Sequence, residues 1–222
     1  SVAEDVPLVF SVAAGNAIGL ADLDAGGNPV QLTLSVGAGT ISLASTAGLS
    51  FVTGTGTGDA SMSFTGTLAS INAALNGLAY RGALNFNGAD TLSLLVDDLG
   101  NTGTGGPLTA GASTAITVTA VNNAPTITAP GPQATNQDTP LIFSAAGGNA
   151  ITIADVDAGT QPVQLVLSAT HGTLTLGATA GVTFVTGTGA GDATMTLQGT
   201  LVDLNAALEG LQYQPTGLYA GA

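Results

Sequence analysis

The sequence lacks the residue types on which most catalytic sites depend. It has no cysteine and one histidine, and Arg81 is the only lysine or arginine. Without cysteine the fold has no disulfide and no thiol chemistry. Without lysine it cannot form a Lys–Asn isopeptide crosslink. Catalytic triads, phosphate clamps and zinc sites cannot be assembled from this set, so we expect that the chain is not an enzyme.

Positive charge is equally scarce. Fourteen acidic residues oppose the one arginine, and the formal net charge is −13. Nucleic acid is excluded as a partner because its phosphates need clustered lysine and arginine, and anionic membrane surfaces are equally poor partners. The sequence has no run of about 18 apolar residues, so we expect no direct membrane insertion. Tryptophan is absent, which leaves little for a sugar-stacking platform. The net negative charge favours a cation as the binding partner.

The chain contains two copies of one unit. The sequence of residues 4–89 recurs at residues 137–222 without insertion or deletion. Residue 4 matches residue 137, and the difference between matching residue numbers is the same along the whole copy. A repeat of fixed period is typical of an array of similar domains rather than of a one-off active site. We predict a first domain at residues 1–123 and a second at residues 124–222.

The two copies differ in extent. No counterpart of residues 90–123 follows the second copy, and residues 124–133 have no counterpart before Ser1. We therefore expect the first domain to lack its opening strand and the second to be truncated before its closing strands. Such a sandwich exposes unpaired backbone and apolar core. The expectation is that the native polypeptide continues at both ends, or that a neighbouring chain donates the strands in a polymer.

Alternating apolar and polar residues predict β-strands along most of the chain. The alternation is found in residues 30–35, 40–43, 61–64, 91–94 and 114–121. Glycine-rich turns separate these segments. We predict an all-β fold of tandem Greek-key β-sandwich domains.

One segment of each domain has helical periodicity instead. Its apolar residues in the first domain are Leu68, Ile71, Leu75 and Leu78. Thr67 precedes them as an N-cap, and Gly77 is a stop signal. In the second copy, Thr200 and Asp203 form a pair similar to a capping box. We predict a short helix that crosses between the two sheets of each domain, with its apolar face in the core.

Paired aspartates followed by glycine form the most distinctive motif. The first copy has Asp22, Asp24, Gly26 and Asn28 in the pattern DxDxGxN, and the second has Asp155, Asp157 and Gly159, with Gln161 in the last position. Calcium takes about six to eight oxygen ligands, and a turning loop of alternating aspartates aims several inward. Capping of a turn or helix is the alternative role. Asp59 and Asp192 are interpreted as residues of plain surface turns.

Further motifs give a resemblance to a known family. Residues 96–100 contain a DxG loop, Pro107 follows it, and residues 116–125 form a strand and an Asn-rich linker that ends in Ala-Pro. These segments resemble the closing part of a cadherin repeat. Together with the Asp22 loop and the EDVP sequence at Glu4, they make the chain similar to the cadherin-like, Ig-like tandem repeats of large bacterial surface adhesins, including type I secreted, RTX-adhesin-like extender domains.

The resemblance implies calcium ions at the junctions between domains. It places Glu4, Asn122, Asn123, Asp155 and Asp157 at the one junction present, and assigns Asp22, Asp24 and Asp98 to a junction with a preceding domain. Three departures imply fewer or weaker ions. Asn123 stands where many relatives have aspartate, Asn122 stands where cadherins proper have aspartate, and Gln137 replaces Glu4 in the second copy.

The implied function is a calcium-stabilised structural extender of a long extracellular adhesin. It would space or rigidify a fibre at the bacterial cell surface, with neighbouring repeats of the same chain as its partners. The alternative is a self-assembling surface filament or surface-layer subunit, a homopolymer with strand-donating or lateral contacts. A third class is a sugar- or ice-binding module that uses the Thr-rich loops.

Overall fold

The computed structural model describes residues 1–101 and 104–221 of the chain. The chain divides into two compact units, Ser1–Val121 and Asn122–Ala222, each with its own buried core. The boundary predicted from the sequence, after residue 123, lies two residues beyond this division. The described residues form 17 β-strands and two α-helices. The predicted all-β class is confirmed.

The first unit contains nine of the strands and one helix. They are β1 Val2–Ala3, β2 Leu8–Phe10, β3 Pro29–Ser35, β4 Gly39–Ser42, β5 Leu49–Thr53, β6 Ser61–Thr67, α1 Leu68–Leu75, β7 Leu78–Gly82, β8 Gly88–Asp97 and β9 Thr109–Thr119. One sheet has the order β1-β9-β8-β3-β6-β5, and the other has the order β2-β7-β4. All pairs are antiparallel except β1 with β9.

Alternation decides which side chains of these sheets are buried. Val30, Leu32 and Leu34 of β3 are fully buried, and the residues between them are only half-buried. Phe64 from the six-stranded sheet and Tyr80 from the three-stranded sheet belong to the same core cluster. The two sheets therefore enclose one apolar layer, as a β-sandwich requires.

The second unit repeats this plan with fewer strands. They are β10 Thr126–Thr128, β11 Leu141–Phe143, β12 Thr152–Ala154, β13 Val163–Ser168, β14 Gly172–Thr175, β15 Thr183–Thr186, β16 Thr194–Gly199, α2 Leu201–Leu208 and β17 Leu211–Pro215. The sheets have the orders β13-β16-β15, β11-β17-β14 and β10-β12.

Each helix connects the two main sheets of its unit. Helix α1 leads from β6 to β7, and α2 leads from β16 to β17. The Oγ1 atom of Thr67 accepts a hydrogen bond from the Ser70 N–H at 3.2 Å, and Ile71 and Leu75 are fully buried. The predicted helix, its N-cap and its core face are confirmed. Among the helices that the structure describes, neither is long and apolar enough to cross a membrane.

Strand β13 differs from its counterpart β3 in its pairing. Strand β3 pairs with β6 on one edge and with β8 on the other. Strand β13 pairs with β16, and no strand in the described part of the second unit pairs with its other edge. Leu167 of β13 is half-buried, whereas the matching Leu34 of β3 is fully buried.

Candidate metal centre

A helix asparagine positions the aspartate loop of each unit. In the first unit, Asn72 Oδ1 accepts the Leu20 N–H at 2.8 Å and Asn72 Nδ2 donates to the Leu20 carbonyl at 2.9 Å. In the second, Asn205 makes the same two bonds with Ile153, both at 2.9 Å. Leu20 and Ile153 each lie two residues before the first aspartate of the loop. The helix therefore fixes the backbone from which the carboxylates extend.

The first aspartate of each loop also caps its own turn. Asp22 Oδ1 accepts the N–H groups of Asp24 and Ala25, at 3.1 and 3.0 Å. Asp155 Oδ1 accepts those of Asp157 and Ala158, at 2.8 and 3.1 Å. The capping role considered from the sequence is thus present. It engages one oxygen of each carboxylate, and a carboxylate has a second oxygen that can bind a cation.

In the first unit, Asp24 interacts with both of the other predicted aspartates, Asp22 and Asp98. Hydrogen bonds from the Asp24 backbone, from its side chain and from the Ala25 N–H lower the pKa of Asp22. The hydrogen bond with Asp22 raises the pKa of Asp24, and burial and repulsion by Asp22 and Asp98 raise it further. Asp24 therefore holds a proton more readily than an isolated carboxyl. A bound cation would relieve the same repulsion.

Asp98 is held by the loop that contains it. Its Oδ1 accepts the N–H groups of Gly100 and Leu108, both at 2.7 Å. Asp98 and Asp24 line one cavity of about 90 Å³, together with Asn101 and Thr104. Among the described residues, however, no three His, Cys, Asp or Glu side chains form a group that could hold a metal ion. Amide, hydroxyl or backbone oxygens would have to complete any ligand set.

The predicted residues of the second unit meet through Asn123. Its N–H donates to Asp157 Oδ2 at 2.5 Å, and its carbonyl accepts a bond from Asn122 Nδ2 at 3.3 Å. The Asn123 Nδ2 atom is buried without a hydrogen-bond partner. A rotation of the amide by 180° would put the carbonyl oxygen there instead, and such an oxygen is a calcium ligand. The donor set thus fits a hard cation.

Glu4 has a different environment in the first unit. It is only 4% exposed. Its Oε1 accepts the Val121 N–H at 2.7 Å, and its Oε2 accepts a bond from Asn87 Nδ2 at 3.3 Å. The Glu4 N–H donates to the Thr119 carbonyl at 2.9 Å. One carboxylate oxygen therefore binds the segment after β9 and the other binds the residue before β8, and a ligand role for Glu4 stays a prediction.

Asp59 and Asp192 organise the glycine-rich turns. Asp59 Oδ2 accepts the N–H groups of Thr55 and Gly56, at 2.9 and 2.8 Å. Asp192 Oδ2 accepts those of Thr188 and Gly189, at 2.8 and 2.7 Å. The hydrogen bond from the Thr188 backbone is the main cause of a lowered pKa for Asp192. These carboxylates have a turn-forming role, which makes them suitable controls.

A scan against protein-family models finds no match, and neither does a search of the curated proteins. The residues of the two units offer oxygen ligands and crowded negative charge, which suit the binding of a hard cation.

Proposed function

We propose that the chain is a calcium-stabilised structural extender of a long extracellular fibre at a bacterial surface. The observation that carries the proposal is the placement of Asp24, which is hydrogen-bonded to Asp22, is repelled by Asp22 and Asp98, and lines one cavity with Asp98. The equivalent loop of the second unit keeps the same turn and the same helix asparagine.

The architecture suits a repeated spacer. Each unit has a core of its own, and the core positions that the two copies share are apolar in both. Units with separate cores can be joined in tandem without any change in the packing of either core. The negative charge is concentrated in loops rather than in the sandwich cores, so a cation would stiffen the loops without entering the core.

The test is the thermal unfolding of the chain in calcium and in chelator. A ligand that binds only the folded state at a hundredfold excess over its Kd stabilises it by about 2.7 kcal/mol. About 10 mM Ca²⁺ gives that excess at a Kd of about 10⁻⁴ M, a value found in extracellular modules. The melting temperature should rise by roughly 10–20 °C. Identical melting curves with Ca²⁺ and with chelator would refute the proposal.

Matched variants separate ion binding from turn formation. Asp24→Asn and Asp157→Asn remove a charge and retain an acceptor oxygen, so we expect the turns to form and most of the calcium response to be lost. Asp192→Asn makes the same change in a turn without a predicted ion. Its calcium response should equal that of the unmodified chain. An equal loss in Asp192→Asn and Asp157→Asn would show that the wrong loop was chosen.

A further inference from the structure

Two Asn-Gly dipeptides occur in the chain, Asn76-Gly77 and Asn87-Gly88, and both lie in the first unit. Asparagine is a thermally labile residue, and it is most prone to spontaneous deamidation when glycine follows, because glycine has no side chain to shield its backbone nitrogen. The reaction needs no enzyme. In a folded protein its rate depends on how firmly the two residues are held, and the structure holds these two pairs differently.

Hydrogen bonds hold both reacting groups of the Asn76-Gly77 pair. The Gly77 N–H donates to the Phe10 carbonyl at 2.8 Å, and Asn76 Oδ1 accepts the Val12 N–H at 3.0 Å. Asn76 is also the C-cap of α1, and its own N–H donates to the Asn72 carbonyl. The nitrogen that would attack and the side chain that would be attacked are therefore both engaged with neighbouring backbone.

The Asn87-Gly88 pair has a more open position. Both residues are exposed, Asn87 lies outside any helix or strand, and Gly88 is the first residue of β8. The ends of elements open more easily than their centres. Among residues 1–101 and 104–221, the Asn87 side chain makes one hydrogen bond, from Nδ2 to Glu4 Oε2, and this bond is 3.3 Å long. A single long bond restrains the side chain weakly.

We propose that Asn87 is a site of spontaneous deamidation, and that the carboxylate formed there loosens the attachment of Glu4 in the first unit. The Gly88 backbone nitrogen gives up its proton to water and attacks Cγ of Asn87. A C–N bond forms, and the Nδ2 group leaves as ammonia. Water then opens the cyclic imide, at Cγ to give aspartate or at the main-chain carbonyl to give isoaspartate. One water is consumed, one ammonia is released, and nothing is oxidised or reduced.

The product carboxylate stands where a hydrogen-bond donor stood. Glu4 is buried; its Oε1 accepts the Val121 N–H, and its Oε2 accepts the bond from Asn87. After deamidation two carboxylates face each other at that point, and they repel each other unless one takes up a proton. We expect Glu4 to move away from the new carboxylate, which weakens its bond to Val121 and the adjacent pairing of β1 with β9.

The second copy indicates that the same change at Asn76 is tolerated. Glu209 occupies the matching position, and its two carboxylate oxygens accept the Ala145 N–H at 3.2 and 3.1 Å. Ala145 corresponds to Val12, so a carboxylate makes there the bond that the amide of Asn76 makes in the first copy. Asn76 is therefore a matched control for the effect of the new charge as well as for the rate of the reaction.

The rates are measured by incubation of the folded chain at neutral pH in chelator, so that calcium plays no part. Arg81 is the only lysine or arginine, so trypsin cuts the chain once after denaturation and puts the two Asn-Gly pairs on separate fragments. Mass spectrometry follows the gain of about 1 Da at each site. We expect Asn87 to react at least about tenfold faster than Asn76, because two hydrogen bonds must break before Asn76 can react.

Incubation in urea removes the structural difference between the two pairs. Both are Asn-Gly, so in the unfolded chain their rates should agree within about threefold. A ratio of rates in the folded chain no larger than the ratio in urea would overturn the proposal. It would also be overturned if Asn87 stayed intact in the folded chain for as long as the unfolded chain needs to react completely.

Variants that carry the product charge test the loosening of Glu4. Hydrogen exchange with mass spectrometry reports on residues 2–5 and 119–121, and exchange in residues 29–35 monitors folding. Asn87→Asp should speed exchange in the first two segments at least about threefold, whereas Asn76→Asp should leave it unchanged. Asn87→Gln, which keeps an amide, should retain the protection and lose the mass gain at this site. Equal exchange in the two aspartate variants would refute the loosening.

Discussion

Replacement of Asp90 by alanine is expected to destabilise the first unit severely. The Asp90 side chain is buried, at 7% exposure. It accepts hydrogen bonds from the N–H groups of Gly37 and Ala38 and from the Tyr80 hydroxyl. A fourth bond, from the Thr91 N–H at 2.7 Å, is local. The carboxylate therefore ties β8 to the β3–β4 turn and to β7.

The magnitude follows from the donors that the alanine variant leaves behind. A buried donor without an acceptor costs about 1–3 kcal/mol. The Tyr80 hydroxyl is such a donor, whereas the bonds from the N–H groups of Gly37 and Ala38 are only part-buried and water can partly replace them. The three lost bonds together, which are not fully additive, cost roughly 2–5 kcal/mol. The free energy of unfolding of a whole domain is only about 5–15 kcal/mol. Asp90→Ala should therefore remove a large fraction of the stability of the first unit, while the stability of the second unit is unchanged.

Native-state hydrogen exchange with mass spectrometry measures this effect in each unit separately. Residues 29–35 report on the first unit, and residues 163–168 are the internal reference. Asp97→Ala is the matched control in the same strand, because Asp97 Oδ1 accepts one exposed bond, from the Leu99 N–H at 2.8 Å. Its expected cost is at most about 1.5 kcal/mol. If Asp90→Ala cost no more than Asp97→Ala, the argument from buried donors would be refuted.

Two further predictions concern acid and the helix asparagines. Burial raises the pKa of Asp90, but bonds from Ala38, Gly37, Thr91 and Tyr80 lower it below its ordinary value. The stability that the Asp90 carboxylate contributes is present above the ordinary carboxyl pKa and is lost as pH falls through the lowered pKa of Asp90. The denaturant midpoint of the first unit should therefore fall in acid, and it should fall less in the Asp90→Asn variant. In the Asn205→Ala variant two backbone groups of Ile153 lose their hydrogen-bond partners, so calorimetry should show a stability lower by about 1–3 kcal/mol and no calcium response in the second unit. A calcium response equal to that of the unmodified chain would contradict the positioning role of Asn205.

The strands that could be predicted from the sequence are those with one buried face. Residues 30–35 alternate because Val30, Leu32 and Leu34 enter the core, and the prediction differs from β3 by one residue. Strand β9 begins at Thr109 rather than at the predicted residue 114. Residues 109–115 are exposed and do not alternate. They form a strand because β8 pairs with them, from Asp97 opposite Thr109, and such pairing is a tertiary effect.

For the candidate site, the aspartate loops could be predicted from the sequence, but the asparagines that position them could not. The DxDxG pattern identifies the loops because aspartate and glycine are needed there, and Gly26 has a φ of +58°. Asn72 and Asn205 escaped notice because a polar residue in an amphipathic helix is usually solvent-facing. The signal that could have found them is the same asparagine at the same position of both copies. Asp90 was missed because the second copy has no counterpart of it.

The two copies also allow local structure to be separated from structure that depends on the β8–β9 hairpin. The aspartate loop, the helix asparagine and the Asp192 turn of the second unit keep the bonds of the first unit, although within residues 104–221 no strand pairs with the second edge of β13. These bonds therefore do not require such a strand. Burial of Tyr213 and Leu167 is lower without it, so core closure does depend on a strand at that edge. Calcium binding by the second unit should accordingly not require a strand at that edge of β13.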